Sequence, residues 1–226
     1  MTTELSHTRF IKQQDFVPYA TLAEKPVTVV GVGAIGRQVA LQLASIGASK
    51  IQLIDFDRVD EGNVTTQGFL AVDIGDEKVV AAARAIHAID PTIEVEFIID
   101  RFRPNQQHHP VIFMCVDKIG VRKIIWEARH DKAELILDGR MLGETMQVLA
   151  ASKHHPKTQD YYPTSLFAPD EQMEGRCTGH ATIYCATIAA GLMVHQFTRW
   201  LRGFPIDHHM GLNLFAGEFF PIGEAV

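Results

Sequence analysis

The stretch Val27-Thr-Val-Val30-Gly31-Val-Gly33-Ala34-Ile35-Gly36, followed by Lys50-Ile-Gln-Leu-Ile54-Asp55, decides the fold. The β-branched run Val27 to Val30 reads as a buried strand. It runs directly into Gly31, Gly33 and Gly36. After them Ile35, Val39, Leu43 and Ile46 recur at helical spacing, and Gly47 supplies the stop. Lys50 to Ile54 is a second buried strand that ends on Asp55. Strand, glycine turn, helix, strand and acid make a βαβ unit. Its glycines let backbone approach a phosphate, and its helix N-terminus offers free N–H groups and the positive end of a dipole. A GxGxxG motif in this context predicts a nucleotide site but leaves open which nucleotide.

Bulk properties narrow the class. The 226 residues are enough for one sizeable core, and the 46% hydrophobic fraction is ordinary for a globular domain. A net charge of -6 argues against a nucleic-acid coat. No run is long and apolar enough to span a bilayer, and Met1 to Arg9 lacks the apolar centre of a signal peptide. The 3 cysteines form no disulfide framework. The expectation is a cytoplasmic protein with no membrane or nucleic-acid partner.

Residues 1–26 read as an N-terminal arm and residues 27–226 as one α/β domain with a doubly wound, mainly parallel sheet. Asp73-Ile-Gly75-Asp-Glu-Lys78 opens a helix that ends at Asp90-Pro91, so Lys78 lies in its first turn. A lysine there opposes the helix dipole, so it is either a tolerated surface residue or it faces a polyphosphate. Ile93, Val95, Phe97 and Ile99 alternate with acids, as in a half-buried edge strand. Val111 to Val116 predicts a buried strand ending on Asp117, and Ile119 to His130 a helix. Glu134 to Leu137 and Met146 to Ala151 are further strands. Ligands of open α/β sheets bind at the carboxyl ends of the strands, which puts Asp55 and Asp117 on the ligand rim. A ribose or a magnesium ion takes a carboxylate there.

Residues 152–176, with Pro156, Pro163 and Pro169, read as a crossover or lid. They lead to Arg176-Cys177-Thr-Gly-His180 and a long apolar helix from Ala181 to about Trp200, and Gly211 to Phe220 reads as a terminal strand or hairpin. A helix N-terminus lowers a thiol's pKa, so Cys177 is either a nucleophile or a small loop residue. Cys115 and Cys185 fall in apolar elements and read as core. The doublets His108-His109, His154-His155 and His208-His209 do not have chelating spacing.

Taken together, Gly31-Val-Gly33-Ala34-Ile35-Gly36, Asp55-Phe-Asp57 with Val59 and Asn63, Gly75-Asp-Glu-Lys78 and Cys115-Val-Asp117 resemble the ThiF/MoeB/HesA superfamily, to which ubiquitin-activating enzymes also belong. The resemblance runs from about residue 25 to residue 150. It implies adenylation, with ATP and Mg2+, of the C-terminal carboxylate of a small ubiquitin-like or sulfur-carrier protein, by a homodimer. Carried over residue by residue, it puts the glycine turn, with Ala34 and Ile35, at the ATP phosphates and Asp55 on the ribose, with Asp57 in the same motif. It puts Asn63 and Lys78 on phosphate oxygens and Asp117 on magnesium, and makes Cys177 similar to a thioester-forming cysteine.

Three departures accompany the match. Thr66 stands where the family usually has an arginine, Lys12 (with Arg9 nearby) stands where the arm's arginine aligns, and the paired CxxC motifs of a structural zinc are missing. Arg58 and Arg103 are the candidate replacement cations. The competing readings are a nicotinamide-dependent dehydrogenase, which leaves Gly75-Asp-Glu-Lys78 unexplained, and a non-catalytic partner subunit of the same fold.

Overall fold

The computed structural model describes residues 9–167 and 182–221. Its centre is a single sheet of 8 strands in the order β3-β2-β1-β4-β5-β6-β7-β8. β1 (Val27–Val30), β2 (Lys50–Ile54), β3 (Glu94–Ile98), β4 (Val111–Met114) and the first half of β5 (Leu135–Leu142) run parallel. β6 (Thr145–Ser152), β7 (His209–Asn213) and β8 (Glu218–Pro221) continue the sheet antiparallel. Five α-helices among the described residues precede β5 in the chain. These are α1 (Tyr19–Ala23), α2 (Ala34–Ile46), α3 (Glu61–Thr66), α4 (Lys78–Ile89) and α5 (Ile119–Arg129). α6 (Pro156–Tyr161) and α7 (Ile183–Leu201) complete the set.

Every residue of β1 and β4 is buried, as β-branched central strands covered on both faces must be. One face carries α2, α4 and α7 over Val27, Val29, Leu53, Phe113 and Leu137. The other carries α5 and Tyr162 over Val30, Ile54, Ile112, Met114 and Ile136. The order 2-1-4 reverses direction between β1 and β4, so a crevice opens there above the carboxyl ends of the strands.

Some elements differ from the sequence reading. β5 does not stop at Leu137 but continues through Leu142, with Asp138 wholly buried in it. Arg122 and Arg140 each bond that carboxylate at 2.8 Å, which is why an acid can stay in a core strand. Along β3 and the residues flanking it the alternation holds for Ile93 and Val95, whereas Phe97 and Ile99 are exposed because β3 is the uncovered edge. The segment after Ser152 is not all loop: α6 and the 3-10 turn Tyr162–Ser165 pack on the sheet, with Thr158 and Tyr162 buried. Gly211 to Phe220 is the β7–β8 hairpin.

Candidate nucleotide site

The turn between β1 and α2 is built by steric necessity. Gly31 has φ +86°, and a side chain there would also meet the Cys115 carbonyl oxygen at 2.7 Å. At Gly36 a methyl group would overlap the Gly31 carbonyl oxygen. With both glycines in place, Gly31 donates to Ile54 O at 2.9 Å and Cys115 donates to Val30 O at 2.8 Å, so the turn is laced between β2 and β4. Gly33 is the N-cap of α2 and offers no side chain. The N–H groups of Ala34, Ile35 and Gly36 therefore begin a 13-residue helix uncapped, and they can receive an anion.

Asp55 closes the turn from the end of β2. Its Oδ2 accepts from the Val32 amide at 2.6 Å and its Oδ1 from the Asp57 amide at 2.8 Å. Burial pushes its pKa up, against the two backbone donors and the nearby Lys78. Asn63 is buried in α3. Its Oδ1 accepts from the Asp60 amide at 3.2 Å and its own amide is capped by Asp60 at 2.9 Å. This leaves its Nδ2 without a protein partner among the described residues. Lys78 starts α4, and although its residue type suits a surface, it is only 6% exposed. Its amide is held by Asp57 O at 2.9 Å and its Nζ lies 3.3 Å from Asp57 Oδ2. Asp117 is exposed in the turn between β4 and α5 and makes no side-chain hydrogen bond among the described residues.

The glycine turn, Asp55, Asp57, Asn63, Lys78 and Asp117 thus all come from the carboxyl-end side of β1, β2 and β4. Cys177, with Arg176 and His180, lies outside the described residues. Cys185 is fully buried and Cys115 is packed against the same core, where burial pushes its thiol pKa up. Among the described residues no three His, Cys, Asp or Glu side chains converge as a metal centre. A single carboxylate such as Asp117 still suits magnesium, which keeps several waters and takes one or two carboxylates beside phosphate oxygens.

The replacement cations named from sequence are engaged elsewhere. Arg58 bonds the Gly75 carbonyl at 2.7 Å and pairs with Glu77, and Arg103 pairs with Asp100 at 2.8 Å. The Thr66 hydroxyl bonds back to Gly62 O at 2.8 Å. Arg9 pairs with Asp90 at 2.9 Å, at the end of α4 away from Lys78. Two features escaped the sequence reading: the Asp138 cluster and Arg37. Arg37 lies on the buried stripe of α2 with Ala40 and Ala44, and that position among apolar residues was the available signal.

Comparisons with known proteins bear on the family and the fold. The model of the ThiF family matches residues 6–221. Ubiquitin-like modifier-activating enzyme 5 of Drosophila virilis is 32% identical over 233 residues, covering 90% of this chain and 56% of the relative. The Drosophila mojavensis protein of that name is 36% identical, with 90% and 57% covered, so the chain spans little more than half the length of these relatives. In fold, PaaA superposes with a TM-score of 0.80 at 19% identity, over 99% of this chain and 75% of that one. Escherichia coli MccB solved with ATP gives 0.67 at 16%, over 92% and 66%. Escherichia coli tRNA N6-threonylcarbamoyladenosine dehydratase, TcdA, gives 0.70 at 16%, over 90% and 98%. With its family model matched from residue 6 to residue 221 and its glycine turn, strand-end acids and helix-opening lysine set on one rim, this chain belongs to the ThiF family.

Proposed function

We propose that the chain is an ATP-dependent adenylyltransferase that activates the C-terminal carboxylate of a small ubiquitin-like or sulfur-carrier protein. The observation that carries this reading is the pairing of the uncapped α2 N-terminus, behind Gly31 to Gly36, with the buried Lys78 on the same rim. Both features favour a polyanion, and a dinucleotide pyrophosphate alone leaves the buried lysine unexplained. The similarity to activating enzymes named for a ubiquitin-like modifier, and the fold shared with a protein solved with ATP, support the same choice.

In this reading a carrier carboxylate oxygen attacks the α-phosphorus. A bond to that oxygen forms, the bond to the bridging oxygen of the leaving pyrophosphate breaks, and the carrier becomes an acyl-adenylate. The chain's part is to position the groups and neutralise charge, since phosphoryl chemistry gives the protein little covalent work. The N–H groups of Ala34 to Gly36 and Lys78 meet phosphate oxygens, Asn63 offers its free Nδ2, and Asp55 holds the ribose and the turn together. Asp117 would hold magnesium, whose charge would screen the phosphates. Cys177 then takes the acyl group as a thioester, its sulfur forming a bond to the carbonyl carbon as AMP leaves.

The reading also includes a homodimer in which the partner's arm, through its Lys12, completes each site. The reading also places the protein in the cytoplasm; separately, no helix among the described residues is long and apolar enough to cross a membrane.

Pyrophosphate exchange tests the core of this. Purified chain with candidate carriers, ATP and magnesium should exchange label into ATP, and ATP should outcompete NAD for binding. ATP binding without exchange for any carrier would favour a non-catalytic partner subunit, and preference for NAD would favour a dehydrogenase. On a non-reducing gel Cys177→Ala should lose a thiol-sensitive carrier conjugate and keep exchange. A conjugate that persists removes Cys177 from the mechanism.

A further inference from the structure

Three buried cations stand out among the described residues, and one of them has no counter-ion. Lys78 has Asp57 at 3.3 Å and Arg122 has Asp138 at 2.8 Å. Arg37 is 6% exposed and, among the described residues, pairs with no carboxylate within salt-bridge distance and makes no side-chain hydrogen bond; its Nε is a buried donor left without a partner there. The nearest acid is Asp73. Its oxygens are already used, one by Arg84 at 2.8 Å and the other by the Leu70 amide at 2.9 Å. A guanidinium remains charged when buried, and an uncompensated buried charge costs several kcal/mol. Such a cost points to an anion that arrives from outside.

The location says which anion. Arg37 lies one turn into α2, its amide bonded to Gly33 O at 3.0 Å. Its guanidinium is 4.9 Å from the Phe69 ring centroid and borders Gly68, where an added Cβ would sit 3.2 Å from Nη1. Gln67 presses toward Gly33 on the same wall, 3.8 Å from where a Cβ would be, with its Oε1 also unpartnered. Gln38 Nε2 ties that wall to α2 through Gln67 O at 3.2 Å. The cation is therefore held on an aromatic face, in a fixed wall, beside the glycine turn.

We propose that Arg37 is a catalytic residue that binds the polyphosphate of the nucleotide, supplying from the Gln67–Phe69 wall the second cation that Arg58 and Arg103 do not supply. The inference rests on the reading of this site as a nucleoside triphosphate site. Its chemistry is a guanidinium on phosphate oxygens, where bidentate contact suits the planar fork. The bland alternative is a packing role over Phe69.

Isothermal titration of the full chain with ATP, AMP and adenosine separates these. Arg37→Leu should weaken ATP about 10- to 100-fold, the equivalent of one charge-assisted bond of roughly 1.5–3 kcal/mol, and leave adenosine unchanged. Arg37→Lys should recover part of the loss. Arg37→Met, which keeps length and apolar contact with Phe69, is the second variant should the leucine fold poorly. Unchanged ATP affinity in a folded variant overturns the proposal while leaving the nucleotide reading intact. Equal losses for ATP and adenosine, or a loss confined to carrier affinity, also overturn it. Failure of the parent chain to bind any nucleotide removes the underlying reading as well.

Discussion

The Val32 amide donates to Asp55 Oδ2 at 2.6 Å, so the acid at the end of β2 is also the clasp of the glycine turn that follows β1. One carboxylate serves the turn's shape and, in the proposed chemistry, the ribose. The two roles separate on mutation. Asp55→Asn keeps an acceptor for Val32 and should lower the melting temperature little, while weakening ATP and adenosine alike because the ribose is common to both. Asp55→Ala removes the clasp too and should cost an additional 1–3 kcal/mol or so of stability, the usual penalty of a buried donor left unpaired. Thermal melts and titrations of both variants check this; loss of ATP with adenosine intact would take Asp55 off the ribose.

Lys78 should behave in the opposite way. Its Nζ faces Asp57 Oδ2 at 3.3 Å, an acid that is half exposed and so a weak tether, free to release the ammonium to a phosphate. Lys78→Ala should weaken ATP more than adenosine, by about a factor of 10 or more if one charge-assisted bond is lost. Equal losses would place Lys78 away from the phosphates. Asp57→Ala should cost more than the about 1 kcal/mol of an exposed pair, because it leaves the buried Lys78 ammonium without its acid.

Gly36→Ala tests the turn by sterics alone. The added methyl group would overlap the Gly31 carbonyl oxygen, which is fixed by the bond from Gly31 N to Ile54 O. The variant should be destabilised by more than about 3 kcal/mol, in the range reserved for strain and overpacking in a core. A soluble variant with parental melting and ATP affinity would show that the turn is softer than this geometry.

These results mark what sequence could reveal. The βαβ unit was legible because Val27–Val30 and Lys50–Ile54 are continuous apolar runs, the mark of strands buried on both faces, and because the glycines sit where only backbone fits. Lys78 was legible as the first residue of a helix, but its burial was not, since burial depends on Asp57 coming from another element. The strand from Glu134 read as ending at Leu137 because the acid at Asp138 breaks the apolar run. The two arginines that keep it there arrive from α5 and from further along β5. Phe97 and Ile99 were misread because alternation reports a face, and whether that face is covered depends on what lies beyond the edge strand. Arg37 had a signal in its place on the apolar stripe of α2, yet that it finds no counter-ion among the described residues only the folded chain reveals.

Stability should fall on mild acidification. Burial, with Arg140 and His208 beside it, lowers the His209 pKa to about 4, partly opposed by Asp138. Burial, with Arg129 and His109, does the same for His108. Both rings are neutral in the folded chain and take protons more readily when unfolded, near their ordinary 6.5. Their contribution to stability is therefore complete above about pH 6.5 and is lost as pH drops toward 4. The melting temperature should be flat above that value and decline below it. His209→Gln should flatten part of the decline; an unchanged slope would assign it to other groups.

The last prediction concerns Asp138, which joins α5, β5 and the turn after α6 through one carboxylate. Its Oδ1 takes Arg122 Nε at 2.8 Å, and its Oδ2 takes Arg140 Nε at 2.8 Å and the Tyr162 hydroxyl at 2.9 Å. Burial alone would raise its pKa, but the two guanidiniums outweigh burial and hold it below the usual carboxylate range. Arg140 in turn grips Ser165, by its carbonyl at 2.9 Å and its hydroxyl at 3.0 Å. Asp138→Asn keeps the shape and removes the charge, leaving the buried Arg122 and the partly buried Arg140 without an acid. Breaking a buried pair in this way costs about 3–5 kcal/mol, which for a domain of this size lowers the melting temperature by roughly 6 to 20 °C. Tyr162→Phe removes a single neutral donor to the same oxygen and should cost only about 1 kcal/mol. Arg140→Gln keeps the Arg122 pair but frees Ser165, so it should fall between the two in stability. A ranking in which Tyr162→Phe costs as much as Asp138→Asn would mean that shape, and not the paired charge, holds this junction. Carrier transfer measured beside ATP binding then separates fold from function. If Ser165 anchors the segment that runs on toward Cys177, Arg140→Gln should slow the thioester step while leaving ATP affinity unchanged. Parallel losses in both would place the network under the nucleotide site itself.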